Sequence, residues 1–381
     1  MRILVNASNL TVGGGIQVTD SICRELFRFT VHRFVVVLPS VLQPCGNDIE
    51  SYPNVRFVCY DQHSVLLSAI QGRDAVLDAI VEEERIDAVL SIFGFTKWRP
   101  KCLHICGFAR PHWLLRDSPY WESFSLMARM KISVMRKMKM YLFSKSADVF
   151  YTENEYISTM LRKEFKGKKV YTVTNNYNQV FDYPELWDKT HVLPGFDGVT
   201  ILTVSANYPH KNLPIIVAAI HCMKRRWPFF KFRFVLTIQE EEFVPLTDEE
   251  RQHILFLGRV RIDQCPALYE QSSICLLPSL LECFSANYAE AMRMNVPIIT
   301  TDLGFAHSLC GDAATYYAPL SPEALAEAIY GVCSSADLQK RLVSNGANQL
   351  KKFDTYAERA QKLIGIVEKE YHDRNGYSES V

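Results

Sequence analysis

The stretch Ser273-Ile-Cys-Leu-Leu-Pro-Ser279 is followed closely by Glu282-Cys-Phe-Ser-Ala-Asn-Tyr-Ala-Glu290. The first segment is a short apolar run typical of a strand, and the second opens into a helical stretch from Tyr288 to Met294. In α/β proteins, a strand-to-helix junction at the carboxyl end of a parallel sheet is where ligands bind. The stretch therefore predicts an α/β fold with a ligand site at this junction.

Two carboxylates, Glu282 and Glu290, flank the start of the predicted helix. The unpaired N–H groups of a helix N-terminus bind anions such as phosphate, whereas carboxylates accept hydrogen bonds from hydroxyl groups. A ligand with hydroxyls on both sides of a phosphate fits this arrangement, and a nucleotide sugar has that layout. The plain alternative is a pair of solvated surface charges, because two glutamates at such a spacing are common in helices.

The composition is that of a globular chain with more than one core. At 381 residues, two domains are expected, and 48% apolar residues supply ample core material. The 42 basic and 42 acidic residues balance, so no basic field favours nucleic acid as a partner. Eleven scattered cysteines favour a reducing compartment. The first residues do not have the apolar core and cleavage site from which a signal peptide would be predicted, and no membrane span is expected, because no apolar stretch approaches ~20 residues.

Short apolar runs alternate with longer periodic segments along most of the chain, which is typical of parallel βαβ units. The runs lie at residues 2–7, 34–38, 55–60, 102–108, 148–151 and 170–174, and then at 199–205, 232–238, 254–257, 273–277 and 297–300. The Pro- and Gly-bearing stretch 183–195 between the two series has the character of a linker. We expect two doubly wound, Rossmann-like domains facing a crevice, at residues 1–190 and 191–355, with 356–381 as a helix that crosses back to the first domain.

Two loops after predicted strands carry candidate ligand-binding residues. The first strand leads into Gly13-Gly14-Gly15, which permits close backbone approach but fits neither the dinucleotide nor the P-loop spacing. A plain tight turn is the alternative there. The second loop, Tyr208-Pro-His210-Lys211-Asn212, follows the first strand of the second domain. Its lysine is expected to face the crevice, where it could neutralise a diphosphate.

The second half of the chain resembles the group 1, family 4 retaining glycosyltransferases, which have the GT-B fold. The resemblance rests on the order and spacing of Phe256-Leu-Gly-Arg-Val260, Leu268-Tyr269, Leu277-Pro-Ser279, Glu282-x-Phe284, Glu290-Ala-Met292, Pro297-Ile-Ile-Thr300 and Gly311-Asp-Ala-Ala314. The loop with Lys211-Asn212 is similar to the phosphate-binding element of that family. The resemblance is strong over residues 199–330, moderate over 1–20 and only architectural between them.

The resemblance implies a role for each matching residue. It places Glu282 at the donor sugar, Glu290 at the ribose hydroxyls and Lys211 at the diphosphate. The diphosphate would also contact the Phe284 and Ser285 amides, with His210 beside the phosphates. Arg259 and Val260 would lie near the base. Gly14 and Gly15, in the loop after the first strand, would complete the donor side.

Three positions depart from the family pattern. Ser285 stands where the family usually has glycine, which tightens the donor loop. His210 replaces an arginine, so that charge there depends on pH. Ser308 replaces a glutamate.

The first domain offers His112 as a crevice residue that, by the same resemblance, would touch the donor sugar or its leaving phosphate. Arg110 is its neighbour, and a structural loop role is the alternative for both. The nearby Cys102-x-His104-x-Cys106 places three potential metal ligands on one strand face. Buried cysteines and histidines are ordinary in such strands, so no metal site is predicted.

The segment 124–144 is expected to be an amphipathic helix. Met127, Met130, Val134, Met138 and Leu142 share one face, and basic residues are spread around the others at Arg129, Lys131, Arg136, Lys137 and Lys139. Such a helix can lie on an anionic membrane surface. Alternatively, its methionine face packs into the core and its long cationic side chains cover the flanks.

The sequence thus predicts a metal-independent retaining hexosyltransferase without a cofactor, since no Asp-x-Asp occurs to hold a metal-bound diphosphate. The expected partners are a nucleotide diphosphate sugar and a glycan or lipid-linked acceptor of surface polysaccharide or glycolipid assembly. The expected location is the cytoplasm, at the inner face of the membrane. The alternatives are a non-catalytic partner subunit of the same fold and a nucleotide-sugar epimerase or hydrolase.

Overall fold

The computed structural model describes residues 1–11, 13–42, 52–61, 72–94, 96 and 98–376. The chain divides into two compact units, each built on its own parallel sheet. The first unit comprises Met1–Leu114, Ser125–Asn175 and Asp354–Val381, and the second comprises Leu115–Phe124 and Asn176–Phe353.

The sheet of the first unit has seven described strands, all parallel, in the order β3-β2-β1-β4-β5-β6-β7. Their bounds are β1 Arg2–Asn6, β2 Arg33–Leu38, β3 Val55–Cys59, β4 Ala88–Gly94, β5 Leu103–Phe108, β6 Val149–Thr152 and β7 Lys169–Thr172. The strand order reverses between β1 and β4, as in doubly wound sheets. The central strands β1, β4 and β5 are almost wholly buried, which explains their continuous apolar sequences.

Helices cover this sheet on both faces. Their bounds are α1 Gly14–Cys23, α2 Ala75–Glu83, α3 Pro111–Leu114, α4 Leu126–Ser146 and α5 Glu155–Glu164. Side chains of Asp74, Ser125 and Asn154 accept hydrogen bonds from the first-turn N–H groups of α2, α4 and α5, which sets where these helices begin.

The sheet of the second unit has six described strands, also parallel, in the order β10-β9-β8-β11-β12-β13. Their bounds are β8 Val199–Thr203, β9 Phe232–Leu236, β10 Ile254–Phe256, β11 Ile274–Leu277, β12 Ile298–Thr301 and β13 Ala314–Tyr317. Around them lie α6 Ile215–Arg226, α7 Asp248–Arg251, α8 Cys265–Glu270, α9 Ala286–Arg293, α10 Gly304–Cys310, α11 Pro322–Cys333 and α12 Ala336–Leu350. The order reverses between β8 and β11.

Short 3-10 helices fill several connections. They lie at Leu26–Arg28, Ser40–Leu42, Pro119–Ser123, Gln179–Asp182, Pro184–Leu186, Pro209–Lys211, Glu240–Glu242, Ile262–Gln264 and Gly311–Ala313. The fold prediction is confirmed: two parallel, doubly wound sheets, each with its own apolar core.

The last helix, α13 Tyr356–Asn375, belongs to the first unit. Its start is set by a capping box in which Thr355 and Glu358 satisfy each other's backbone N–H groups. Polar contacts attach it along its length, among them Lys169 to Glu370 at 2.8 Å. Its apolar side chains, including Leu363 and Val367, are part of the buried core of the first sheet.

Helix α4 turns a different face inward from the one its methionines suggest. Arg136, Met140 and Phe143 are buried, and the Phe143 ring packs at 5.1 Å from that of Phe150 in β6. Arg136 donates to the backbone carbonyl of Trp113 at 3.0 Å and lies 3.8 Å from Glu164. The expectation that Arg136 is a surface charge is therefore wrong, because its guanidinium satisfies groups inside the unit.

The methionine face of α4 is exposed instead. Met127 retains 82% of its accessible surface, Met130 64%, Val134 70% and Met138 55%. Only Leu142 of the predicted face is partly buried. The core-packing alternative for this face is wrong, since aromatic residues of the opposite face already fill the space against the sheet.

Replacing Leu363 with alanine should test how strongly α13 contributes to the first unit. The side chain is 1% exposed, so its removal leaves a cavity and should lower the free energy of unfolding of this unit by about 2–5 kcal/mol. Urea denaturation followed by circular dichroism measures the change. Gln361→Ala, at an exposed position of the same helix, is the control and should stay within about 0.5 kcal/mol of the unchanged protein. Equal stability of the two variants would show that the helix is not part of the core.

Candidate functional site

The candidate site lies at the carboxyl edge of the second sheet, where the strand order reverses between β8 and β11. A reversal of this kind opens a crevice between loops that leave the sheet in opposite directions. The loop after β8 carries Lys211, and the loop after β11 carries Glu282. The two residues that the sequence singled out on separate loops thus come from neighbouring strands.

The loop after β8 is held in a defined shape. Pro209–Lys211 forms a 3-10 turn, and Asn212 closes it in the left-handed conformation with φ of 52°. Asparagine tolerates that conformation better than most residues. The backbone N–H of Leu280 donates to the carbonyl of His210 at 2.8 Å, which ties this loop to the one after β11.

Lys211 and Glu282 form an ion pair. The side chain of Glu282 is 9% exposed and that of Lys211 is 18% exposed, so both charges are largely removed from water. A buried charge needs a partner of opposite sign, and each of these residues supplies the other's. The ion pair as a whole has no net charge, and it holds the ammonium group of Lys211 at the edge of the sheet.

His210 contributes no positive charge at neutral pH. Burial lowers the pKa of its imidazole below the ordinary value, and the nearby Glu282 carboxylate opposes this shift only partly. Its ring stacks on that of Tyr208 at a centroid distance of 5.7 Å. Lys211 is therefore the group in this turn that carries charge toward an anion.

Helix α9 begins at Ala286, four residues after Glu282. Ser285 precedes the helix with φ of −126° and ψ of 120°, which is extended backbone open to any residue. Serine in place of the family's glycine therefore introduces no backbone strain here. Phe284 packs edge-on to the ring of Phe353 at 5.6 Å. The first N–H groups of an α-helix have no carbonyl partner within the helix and suit a phosphate.

Glu290 is the fifth residue of α9 and is 4% exposed. The hydroxyl of Tyr269 donates to its Oε2 at 3.0 Å. Burial raises the pKa of Glu290 to about 7, although the Tyr269 hydrogen bond favours the charged form. The surface-charge alternative for the two glutamates is wrong, because both are buried and both have specific partners.

The loop after β10 contains the predicted base-side residues. Gly258 has φ of 72°, and a Cβ atom there would come within 2.5 Å of the Gln239 amide. Only glycine suits both conditions. The next residue, Arg259, is exposed and reaches Glu242 at 3.3 Å, while Val260 is half-buried.

The first unit holds the remaining predicted residues. Gly14 and Gly15 form the first turn of α1 rather than an extended loop, and Gly13 before them has φ of 75°. His112 is half-buried within the short helix α3, after β5. These three glycines and the histidine therefore lie beyond the carboxyl ends of strands β1 and β5.

The histidine between Cys102 and Cys106 has a structural role. Its Nδ1 lies 2.6 Å from the carbonyl oxygen of Ser146 and must donate there, so Nε2 accepts from the Ser91 hydroxyl at 2.8 Å. Burial lowers the pKa of His104 to about 4, which keeps the ring neutral. Both ring nitrogens are thus engaged with protein groups.

Two residues of the site have roles that the sequence did not predict. Tyr269 was part of the matching pattern, but its hydrogen bond to Glu290 spans two helices and leaves no mark in the spacing. Ser118 donates to the carbonyl of Leu280 at 2.6 Å and so steadies the loop that carries Glu282. It lies 162 residues away in the chain, and a local sequence pattern cannot reveal such a contact.

Residues 198–335 match the protein family described as glycosyl transferases group 1. An uncharacterised glycosyltransferase of Methanocaldococcus jannaschii is 25% identical over 302 residues, which are 77% of this chain and 77% of that protein. The O-antigen chain mannosyltransferase RfbU of Salmonella typhimurium is 21% identical and covers 53% of this chain and 54% of its own.

Solved structures share the fold at low sequence identity. A sucrose-phosphate synthase of Thermosynechococcus elongatus superposes with a TM-score of 0.72 at 14% identity, over 98% of this chain and 99% of its own. The Anabaena protein HepE, solved with UDP and glucose, has a TM-score of 0.64 at 15% identity, over 97% and 100% of the two chains. Residues 198–335 therefore resemble the group 1 glycosyl transferases, and the two parallel sheets give the chain the two-domain GT-B fold that these solved structures share.

Proposed function

We propose that this protein is a glycosyltransferase that moves a sugar from a nucleotide diphosphate sugar to an acceptor hydroxyl with retention of configuration. The observation that carries the proposal is the buried ion pair of Lys211 with Glu282, directly before the N-terminus of α9. A cation and free helix N–H groups suit a diphosphate, and a carboxylate beside them suits sugar hydroxyls.

Each donor group has a proposed partner. Glu290 binds the ribose hydroxyls, the Phe284 and Ser285 amides bind phosphate oxygens, and Lys211 binds the diphosphate. Glu282 orients the sugar. Arg259, Val260 and His210 complete the donor side, the first two near the base and the histidine as a neutral neighbour of the phosphates. The structure of HepE with UDP and glucose supports a nucleotide site of this kind on a similar fold.

Charge develops on the diphosphate as the glycosidic bond breaks, and the anomeric carbon becomes oxocarbenium-like. Lys211 must then exchange Glu282 for the departing phosphate, so its attraction is strongest when that charge has formed. Glu282, released from the lysine, is free to accept hydrogen bonds from the sugar. We also propose that His112, Gly14 and Gly15 of the first unit contact the donor sugar and its leaving group. The acceptor hydroxyl would attack the anomeric carbon from the same face that the leaving group departs from.

The proposed acceptor is a glycan or a lipid-linked sugar of surface polysaccharide or glycolipid assembly, in the cytoplasm. Two relatives support this class by name: the O-antigen chain mannosyltransferase RfbU and the lipopolysaccharide glycosyltransferase WaaG, whose structure has a TM-score of 0.66 at 14% identity.

The proposal is tested by a thermal-shift screen of nucleoside diphosphates and their sugars, followed by a transfer assay with and without chelator. The matching nucleotide should raise the melting temperature by mass action. Transfer should continue in chelator, because Lys211 supplies the charge that a metal would otherwise provide. Binding without transfer favours a non-catalytic subunit, and donor conversion without acceptor favours an epimerase or hydrolase. Activity that disappears in chelator and returns with magnesium would overturn metal independence.

The pKa of Glu290 predicts how nucleoside affinity depends on pH. Because its pKa is about 7, the carboxyl is neutral at lower pH and becomes a carboxylate, the better hydroxyl acceptor, as pH rises. The affinity for the matching nucleoside should therefore rise between about pH 6 and pH 8 and then level off. A nucleoside is used because phosphate groups titrate in the same range.

Glu290→Gln should remove this pH dependence and weaken binding at the higher pH by about 1–3 kcal/mol. Isothermal titration calorimetry measures both effects. Glu323→Gln removes an exposed carboxylate of the same unit and should keep the native profile. A flat profile in the unchanged protein would contradict the ribose role.

Lys211→Ala should reduce turnover about 100- to 1,000-fold while weakening nucleoside diphosphate binding far less, since the diphosphate charge grows in the transition state. Steady-state kinetics and calorimetry separate the two effects. The variant leaves Glu282 without its partner, so circular dichroism must first show that it is folded. Lys340→Ala, at an exposed position of α12, is the control. A higher KM with unchanged kcat would reduce Lys211 to a binding contact.

A further inference from the structure

The exposed face of α4 is a row of apolar side chains. Met127, Met130, Val134, Met138 and Tyr141 lie along the solvent side of the helix, each more than half exposed. Their spacings of three and four residues follow one side of an α-helix. The row is roughly 21 Å long at 1.5 Å per residue. Most exposed apolar residues of a protein are scattered singly, whereas a continuous row marks an interaction surface.

Lysines flank this row on both sides. With about 100° between successive residues, Lys131 lies roughly 60° to one side of Val134, and Lys137 lies roughly 60° to the other. Both are exposed. Lys145 continues the row beyond Tyr141 and places its ammonium group 5.7 Å from the Tyr141 ring. The face therefore consists of an apolar centre with cationic edges.

The charge of the helix is unusual for this chain. Residues 126–146 contain six basic residues and no acidic one, whereas the whole chain has a net charge of zero. One of the six, Arg136, is used inside the unit, where it donates to the Trp113 carbonyl. The lysines at the edges of the row have no such internal function. Three of the six, Lys131, Lys137 and Lys145, therefore lie on the same side of the helix as the apolar row.

We propose that α4 lies flat on an anionic membrane surface. The apolar row would enter the boundary between headgroups and acyl chains, and Lys131, Lys137 and Lys145 would reach the lipid phosphates beside it. The inference deepens the proposed function and rests on it for one point only: the membrane would be where a lipid-linked acceptor is met.

Other occupants of this face fit less well. A second copy of the chain would bring the lysine edges of two helices together, and like charges repel. A nucleic acid would match the lysines but leave the methionine row without an apolar partner. The helix is roughly 31 Å long, close to the thickness of a bilayer core, but its basic residues oppose insertion across one. Among the residues that the structure describes, no helix is long and apolar enough to span a membrane.

Sedimentation with lipid vesicles tests the proposal on the full chain. The protein should pellet with vesicles of phosphatidylglycerol and phosphatidylcholine at low salt, less at high salt, and little with phosphatidylcholine alone. Nucleotide binding is measured on the same preparation. If vesicle binding fails while nucleotide binding persists, this inference is wrong and the proposed function stands; the reverse result rejects the proposed function alone.

Two sets of variants separate the apolar and the cationic contributions. Lys131→Gln with Lys137→Gln should weaken binding to anionic vesicles about 25-fold at low salt, at roughly fivefold for each lysine. The control is Lys340→Gln with Arg341→Gln, which removes the same charge from an exposed face of α12. Melting temperatures should be unchanged in all of these, because the altered side chains lie in solvent.

Met130→Ser, Val134→Ser and Met138→Ser together should weaken vesicle binding by about tenfold or more, through loss of apolar area. The matched control changes three exposed apolar residues elsewhere, Leu186, Val192 and Phe229, to serine. Equal losses in the helix and control variants would overturn the proposal. Binding to neutral vesicles that does not depend on salt would also overturn it. The same holds if the protein does not bind vesicles but forms a dimer that the helix variants dissociate.

Discussion

The ion pair of Lys211 with Glu282 constrains the two loops that form the candidate site, because two charges can be withdrawn from water only if they are held together. The parallel sheet supplies that geometry: β8 and β11 are neighbours at the reversal of strand order, so their loops begin next to each other at the carboxyl edge. Backbone and side-chain hydrogen bonds then fix the loops, from Leu280 to His210 at 2.8 Å and from Ser118 to Leu280 at 2.6 Å. The ion pair itself is electrically balanced, which is why we propose that a phosphate could replace Glu282 as the partner of Lys211.

Glu290 shows the opposite use of burial. Its carboxyl has a neutral hydrogen-bond partner, Tyr269, and no cation is among the groups that shift its pKa. A carboxylate in that position is destabilised until further hydroxyl groups donate to it. The two acidic groups thus differ in their electrostatics: Glu282, before α9, is compensated by a lysine, whereas Glu290, within α9, has a neutral partner, which is why we propose that ligand hydroxyls bind there.

Much of this arrangement could be predicted from sequence, because short apolar runs bounded by proline and glycine residues indicate where the strands lie. The runs omitted β4 and β13, although β4 lies at the centre of its sheet. Ala88–Gly94 is continuously buried, and a continuous apolar run looks the same in a strand and in a buried helix. The position of Glu282 and Lys211 was predictable because strand ends meet at one edge. The Tyr269 hydrogen bond was not, because it depends on how two helices face each other.

Helix α4 shows why an amphipathic pattern alone does not say which face is buried. Its methionine row and its Arg136–Phe143 face both repeat at helical spacing, and the more apolar of the two is the exposed one. The choice is decided by partners outside the helix: Phe143 fills a cluster with Trp113, Phe150 and Phe165, and Arg136 donates to the backbone carbonyl of Trp113. Packing thus selects the face with the better-matched neighbours rather than the most hydrophobic one. The methionine row is left exposed at a cost in hydration free energy, and this exposure is the observation on which the proposed membrane contact rests.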